Sequence, residues 1–296
     1  MDTNFVIRPH GDKPYHTGVA VPIFSLRTEH DFGIGQFSDL KILAEFVQRS
    51  GMDIIQLLPV NDTTIFMNWK DSSPYRAVSV FALHPIYLDL APFINQLSDS
   101  MQKKFATEQA ELNALTQVDY EQTLASKWKF AGAIYKKIGK STIESDDFKE
   151  FFDENQAWLK AYAAFCVLRD KFVSADSNLW GEHFVQYSES IWSELTSDPK
   201  LAEQINLQMF VQFLLHQQLK EAVEFCHALG VAVKVIFLSV LTVNLLTLGQ
   251  IQTSLIWICK LEPHLTHFLP LDKTGNFQRT TGTRWLKTAL IGGHVA

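Results

Sequence analysis

The readable pattern opens on an apolar run, GVAVPIFSL, from Gly18 to Leu26. It is rich in β-branched residues and bounded by glycine and charge, which predicts a buried strand. Gly33-Ile34-Gly35 marks a tight turn. Ser38 then stands as an N-cap before Leu40, Leu43 and Val47, which share one helical face, and Gly51 supplies the stop. Asp53 to Pro59 (DIIQLLP) reads as the next buried strand. Strand, helix and strand within about 40 residues form a βαβ unit, and that favours a parallel sheet or a barrel.

A long irregular stretch follows, Val60 to Tyr87, carrying Asn61-Asp62-Thr63, Trp69 and Asp71-Ser72-Ser73-Pro74-Tyr75. Long loops in compact domains are usually functional, and in a β/α barrel the loops after the strands form the active-site face. From about Ala91 to Lys200 the periodicity turns helical, polar on one side and aromatic on the other. Phe151-Phe152, Trp158, Tyr162 and Phe165 fit an inward-packing helix face. Ile205 to Leu229 predicts a strong helix ended by Gly230, and Val231-Ala232-Val233 begins a third strand.

Past Lys234 the text changes character. Residues 235–296 hold two acids, Glu262 and Asp272, against five bases, whereas the first 234 residues hold thirty acids and twenty-one bases. The tail also has no sustained period of either kind. Val235 to Ile258 is apolar enough to suggest a membrane span, but Asn244, Gln250 and Gln252 interrupt it. The net charge of −6 gives no electrostatic grip on nucleic acid or anionic lipid. Cys166, Cys226 and Cys259 lack metal or redox spacing, and Met1 to Tyr15 has no apolar signal core. Reduced thiols in a cytoplasmic protein, with no metal and no cofactor, are the expectation.

Three ordered segments carry a resemblance. They are GVAVPIFSLRTEHDFGIGQFSDL, then IIQLLPVNDTT, then Asp71-Ser72-Ser73-Pro74-Tyr75 running on into RAVSVFALHPIYLDL. QFLLHQQLKEAVEFCHALGVAVK joins them further on. Together they resemble the amylomaltases, or disproportionating 4-α-glucanotransferases, of glycoside hydrolase family 77. The resemblance implies an α/β chain that forms the first two to three strands of a (β/α)8 TIM barrel. On that reading 1–90 holds the first βα units with a substrate loop at 60–87, and 91–204 is a helical insertion subdomain. Residues 205–234 give a barrel helix and the start of the third strand, and 235–296 a tail without native-like fold.

The family text would continue from Lys234 as Gly-Asp-Ile-Pro, where this chain reads Val-Ile-Phe-Leu. A codon spelling AAA GTG ATA TTC CT becomes AAA GGT GAT ATT CCT when one base is returned after AAA. The same shift turns EPHLTHFLPLDKTGNFQ into APPDAFSAVGQNWEFP and the stretch from Arg279 to Gly293 into TYNWDKMAKDGFNWW, in family order. A one-base frameshift at or just after Lys234 accounts for all three, and for the apolar run without a membrane.

The family's reaction moves an α-1,4-glucan segment to an acceptor sugar with retention, which calls for an Asp nucleophile and a Glu acid/base. By the resemblance these lie on later strands, so this chain is expected to hold no catalytic residue and to be truncated and inactive. Its expected partners are α-1,4-glucans, with neither nucleic acid nor membrane. The resemblance gives Ser73 and Tyr75 contact with the glucan, the Tyr75 ring offering a face to a sugar. Asp71 either bonds a sugar hydroxyl or caps the loop backbone. Asn61 and Asp62 are expected to order the loop, Trp69 to stack on glucan or, as the preferred reading, to cover the core, and His84, His216 and His227 to be structural. Two other readings stand beside the first: a non-catalytic glucan-binding remnant, and a small membrane protein using 235–258. Whether carbohydrate-binding modules precede Met1 is left open.

Overall fold

The computed structural model describes residues 16–235. Three short strands, β1 (Gly18–Val21), β2 (Ile54–Leu57) and β3 (Ala232–Val235), form one parallel sheet in the order β1-β2-β3. Gly18 pairs with Ile54 and Ile54 with Ala232, so the rows align across all three strands. Ile55, Leu57 and Val233 are buried, and α1 (Asp39–Arg49) returns the chain from β1 to β2 over that side of the sheet. The βαβ expectation holds. The first strand is shorter than the nine apolar residues implied. Pro22 has no N–H to extend the ladder, and Ile23–Ser25 curls into a 3-10 turn closed by Ser25 N–H to the Pro22 carbonyl at 3.1 Å.

Ser38 does not cap α1: its backbone is already helical and its hydroxyl makes no capping bond. Asp39 organises this end instead, its carboxylate accepting from Gln36 N–H at 2.7 Å and from the Thr28 hydroxyl at 3.1 Å. Leu40, Ala44 and Val47 are fully buried, and Gly51 takes the positive φ (71°) that ends the helix. Gly35 is fixed by contact: a Cβ there would stand 2.0 Å from the Ile23 carbonyl oxygen.

Between β2 and β3 the chain is mainly helical. It forms α2 (Asp99–Asn113), α3 (Tyr120–Ile134), a π turn at Tyr135–Gly139 running into α4 (Lys140–Ile143), then α5 (Asp146–Phe172), α6 (Glu189–Ser197) and α7 (Pro199–Ala228). Side-chain oxygens of Asp119, Ser145, Ser188 and Asp198 cap the starts of α3, α5, α6 and α7. The last cap, with Pro199 at the first helical position, starts α7 six residues before the Ile205 expected from periodicity. The helix runs along α5 and also packs on α1 and α6. Trp158, Tyr162 and Phe165 point into this core as expected, while Phe151 and Phe152 are half-buried.

Cys166 and Cys226 are buried free thiols; Cys259 lies outside the described residues. So do Met1 to Tyr15 and, beyond Val235, the tail and the apolar run that suggested a membrane span. Among the described residues no helix is long and apolar enough to cross a membrane.

Candidate functional site

The segment after β2 is irregular but held from all sides. Asn61 bridges antiparallel to Leu83, with Asp62 N–H donating to the Ala82 carbonyl at 2.9 Å and His84 N–H to the Val60 carbonyl at 3.0 Å. Asp62 is fully buried, and its carboxylate accepts from Thr64 N–H (3.0 Å), the Thr64 hydroxyl (2.8 Å) and, from α5, the Tyr162 hydroxyl (2.7 Å). Two turns along α5, buried Arg169 donates to the Thr64 carbonyl and hydroxyl at 2.8 and 2.9 Å. The expectation that Asp62 orders the loop is met, and α5 braces it from outside.

Asp71 settles the lower part of the same loop. It is buried, and one carboxylate oxygen accepts from the N–H groups of Ile65, Phe66 and Met67 at 3.1, 2.8 and 2.7 Å. Its carbonyl accepts from the Thr63 hydroxyl at 2.5 Å. Burial raises its pKa, and these backbone donors pull the other way. Three converging donors also hold Met67 at its positive φ of 56°. Ser73 is half-buried just past this turn, and the Tyr75 ring is 50 % exposed.

Trp69 corrects an expectation. It is 66 % exposed and does not cover the core. Asn68 caps a one-turn helix at Trp69–Ser72, accepting from Lys70 N–H, and Glu121 of α3 accepts from Trp69 N–H at 3.2 Å. Both bonds act on the backbone and leave the indole outside.

A cleft of about 910 Å³ opens between this loop and the start of α3 with the connection before it. Phe24 and Ile34, which follow β1, and Asn61, Thr63, Trp69, Ser72 and Pro74, which follow β2, line one side. The connection from Leu115 to Asp119 between α2 and α3, with Tyr120 and Glu121 at the start of α3, lines the other, and His84 and Tyr87 also contribute. The opening thus lies beyond the carboxyl ends of two parallel strands, where α/β folds hold their ligands. Ser72 and Pro74 are on the lining; Ser73 and Tyr75 alternate with them and are not.

His84 is a lining residue with a fixed tautomer. Its Nδ1 accepts from Ile86 N–H at 3.1 Å, so Nε2 carries the proton and donates to the Tyr120 hydroxyl at 3.0 Å. Burial lowers its pKa to about 4, with Asp62 opposing weakly. His216 is likewise held neutral by burial, at about 4, and its Nδ1 donates to the Gln212 carbonyl. Both histidines are structural, as expected. No group of three or more His, Cys, Asp or Glu side chains among the described residues is arranged to hold a metal ion.

Several residues of the site lack a local sequence signal. Tyr162, Arg169 and Gln212 reach the loop from 100, 105 and 129 positions away. The 115–121 wall lies inside what periodicity presents as a helical insertion alone. Only Trp69 had a local cue, since Asn68, Lys70 and Asp71 surround it with polar residues.

Against this geometry, comparison with known proteins is decisive at one point: the sequence profile described as 4-alpha-glucanotransferase matches residues 21–240. The chain belongs to that family. The 4-alpha-glucanotransferase DPE2 of Oryza sativa subsp. japonica is 40 % identical over 218 residues, covering 73 % of this chain and 23 % of the relative. A 4-alpha-glucanotransferase of Chlamydia pneumoniae is 32 % identical over 212 residues, 71 % of this chain and 38 % of the relative. The amylomaltase from Corynebacterium glutamicum superposes with a TM-score of 0.60 at 24 % identity, covering 74 % of this chain and 29 % of that one. An amylomaltase from Streptococcus agalactiae, solved in complex with acarbose, gives 0.62 at 20 % identity, covering 74 % and 42 %. These structural likenesses speak for the fold. The chain spans between 23 % and 42 % of the length of these four relatives.

Proposed function

We propose that this chain is the opening portion of a 4-α-glucanotransferase, inactive as it stands, whose cleft accommodates an α-1,4-glucan. The observation that carries the reading is the cleft itself. In a chain of this family it lies past the carboxyl ends of β1 and β2, between an exposed indole and the stretch from Leu115 to Glu121. Trp69 offers a flat apolar face of the kind that sugar rings stack on, and Asn61, Ser72 and Thr63 supply hydrogen-bonding groups beside it. By the family resemblance Ser73 and Tyr75, which flank the lining residue Pro74, contact the glucan. Asp71 acts through the backbone it holds.

In the same reading the three parallel strands are the beginning of a (β/α)8 barrel, with 1–90 and 205–234 belonging to the barrel and 91–204 inserted into it. The nucleophilic Asp and the acid/base Glu of a retaining transfer belong to later strands of such a barrel. The tail from Val235 is family coding sequence read one base out of phase, and what supports this is that the family likeness stops at residue 240 of 296. An intact protein of this kind works in the cytoplasm on maltodextrins or glycogen- and starch-type chains.

Purified chain incubated with maltotriose is expected to release neither glucose nor longer dextrins; any turnover overturns the inactivity. Calorimetric titration with maltoheptaose tests the cleft, and no heat of binding removes the glucan reading. Sequencing the gene across the Lys234 codon decides the frame. The second reading, a non-catalytic glucan-binding remnant, is favoured by one specific feature: the loop is ordered by Asp62 and Asp71 without any help from later strands. Binding without turnover is its signature.

A further inference from the structure

One buried charged group has no part in the reading above. Lys127, in α3, is 2 % exposed. Its amine donates to Gln36 Oε1 at 2.7 Å and to the Leu88 carbonyl at 2.6 Å, and it stands 5.6 Å from the centre of the Phe32 ring. These contacts join three separate stretches of chain, the loop after β1, the end of the long loop after β2, and α3 itself.

Each stretch also supplies a wall of the cleft. Ile34 lies two residues before Gln36, Tyr87 immediately before Leu88, and Tyr120 and Glu121 two turns before Lys127 on the same helix. Other bonds also tie these walls together. Phe37 N–H donates to the Tyr87 carbonyl at 3.1 Å, the Thr123 hydroxyl to the Phe32 carbonyl at 3.1 Å, His84 Nε2 to the Tyr120 hydroxyl at 3.0 Å and Trp69 N–H to Glu121 at 3.2 Å. None of them joins all three stretches at one atom as the Lys127 amine does. Burying a lysine amine carries a large desolvation cost, and here burial lowers its pKa to about 7 against the pull of Asp89, Asp39 and Asp31. An apolar side chain would fill the same space without that cost. What the amine adds is two directed bonds, one to each loop.

We propose that Lys127 is a positioning residue, which sets the spacing of the cleft walls by fixing the loop after β1 and the end of the long loop to α3. Its role as part of a glucan-binding cleft rests on the proposed function; its role in coupling the walls does not.

The test uses the full chain and two variants, Lys127→Met and Gln36→Leu, each followed by hydrogen–deuterium exchange at peptide resolution. Both variants are expected to exchange at least about tenfold faster in peptides covering 32–37 and 84–88, while 205–215 of α7 keeps its protection. Acceleration confined to α3, or spread evenly over every peptide, overturns the proposal. Should Lys127→Met fail to fold, Gln36→Leu decides alone, because it removes one anchor and leaves the amine its second acceptor. Maltoheptaose titration gives a separate readout. Affinity at least about tenfold weaker in the variants supports the role in the cleft, and unchanged affinity overturns it. Absence of binding by the wild type removes the glucan reading, with the exchange pattern still deciding the coupling.

Discussion

Two glutamines on α7 make the same bonds in different surroundings, and replacing each tests how burial sets the strength of a hydrogen bond. Asn61 and Leu83 face each other as a pair whose bridging bonds run through their neighbours, so the N–H and carbonyl of Leu83 point away from the bridge. Gln212 fills the place of a missing strand: its Oε1 accepts from Leu83 N–H at 2.9 Å and its Nε2 donates to the Leu83 carbonyl at 2.8 Å. Gln218 does the same for Asp89, at 2.9 and 2.7 Å. Gln212 and Leu83 are buried, whereas Gln218 and Asp89 are half-exposed. Methionine matches glutamine closely in length and volume, so substitution removes the bonds and little packing. In Gln212→Met two buried backbone groups lose their partner at about 1–3 kcal/mol each, or about 4 kcal/mol together. In Gln218→Met water replaces the amide, and about 1 kcal/mol is lost. Urea denaturation of the full chain reads the difference. With an m-value of about 2 kcal/mol/M the first variant loses about 2 M in midpoint and the second about 0.5 M. Equal losses, or a Gln212→Met loss under about 1 kcal/mol, would refute the assignment of the Leu83 bonds to a dry site.

Other consequences are open to measurement. His84 and His216 have folded pKa values of about 4 against the ordinary 6.5, so the unfolded chain takes up their protons first. Their contribution is intact above about pH 6.5 and disappears as the pH falls to about 4, about 3 kcal/mol for each; Asp39 and Asp71, raised by burial, act in the opposite sense. Urea midpoints falling across that window support the assignment, and a flat profile contradicts it. Tyr162→Phe removes a 2.7 Å bond to the buried Asp62 carboxylate and is expected to cost about 1.5–3 kcal/mol by the same denaturation assay. Trp69→Ala, at an exposed position, should leave stability within about 0.5 kcal/mol and weaken maltoheptaose binding measured by calorimetry. Loss of stability without loss of binding would return Trp69 to a structural role.

The sheet and its first helix were legible because their signals are local. Alternating and continuous apolar runs marked β1 and β2, Gly51 marked the end of α1, and Gly230 the turn into β3. Boundaries were lost where a single residue overrides the run, as Pro22 does by ending β1. The loop beyond β2 was visible as a loop and Asp62 as its organiser, while Asp71 stood open between bonding a sugar and capping the backbone. Its braces were not, because Tyr162, Arg169 and Gln212 sit on helix faces that periodicity describes only as inward-facing. A tyrosine that packs and a tyrosine that bonds a buried carboxylate have the same period. The cleft wall at 115–121 was hidden for a related reason: a polar interhelical turn is ordinary in sequence and becomes a wall only through what the chain places opposite it.

The sheet's second face bears on how the chain behaves in solution. Gly18, Ala20 and Lys234 are exposed on this face, and Ile54 and Gln56 of the central strand are only half-buried. Parallel sheets are normally covered on both faces. On α1, Ile42 and Phe46 lie one turn apart and are each 59 % exposed, beyond the face that carries Leu40, Ala44 and Val47 inward. Burying the exposed remainder of two such side chains is worth about 1–3 kcal/mol, enough to drive weak self-association once the partner face is equally apolar. The purified chain is therefore expected to associate with rising concentration in light scattering and analytical ultracentrifugation. Ile42→Lys combined with Phe46→Glu adds an i, i+4 pair on an exposed helix face, so it should lower association while leaving stability in urea within about 0.5 kcal/mol of the parent. Association that persists unchanged in the double variant would move the sticky surface from α1 to the open side of the sheet.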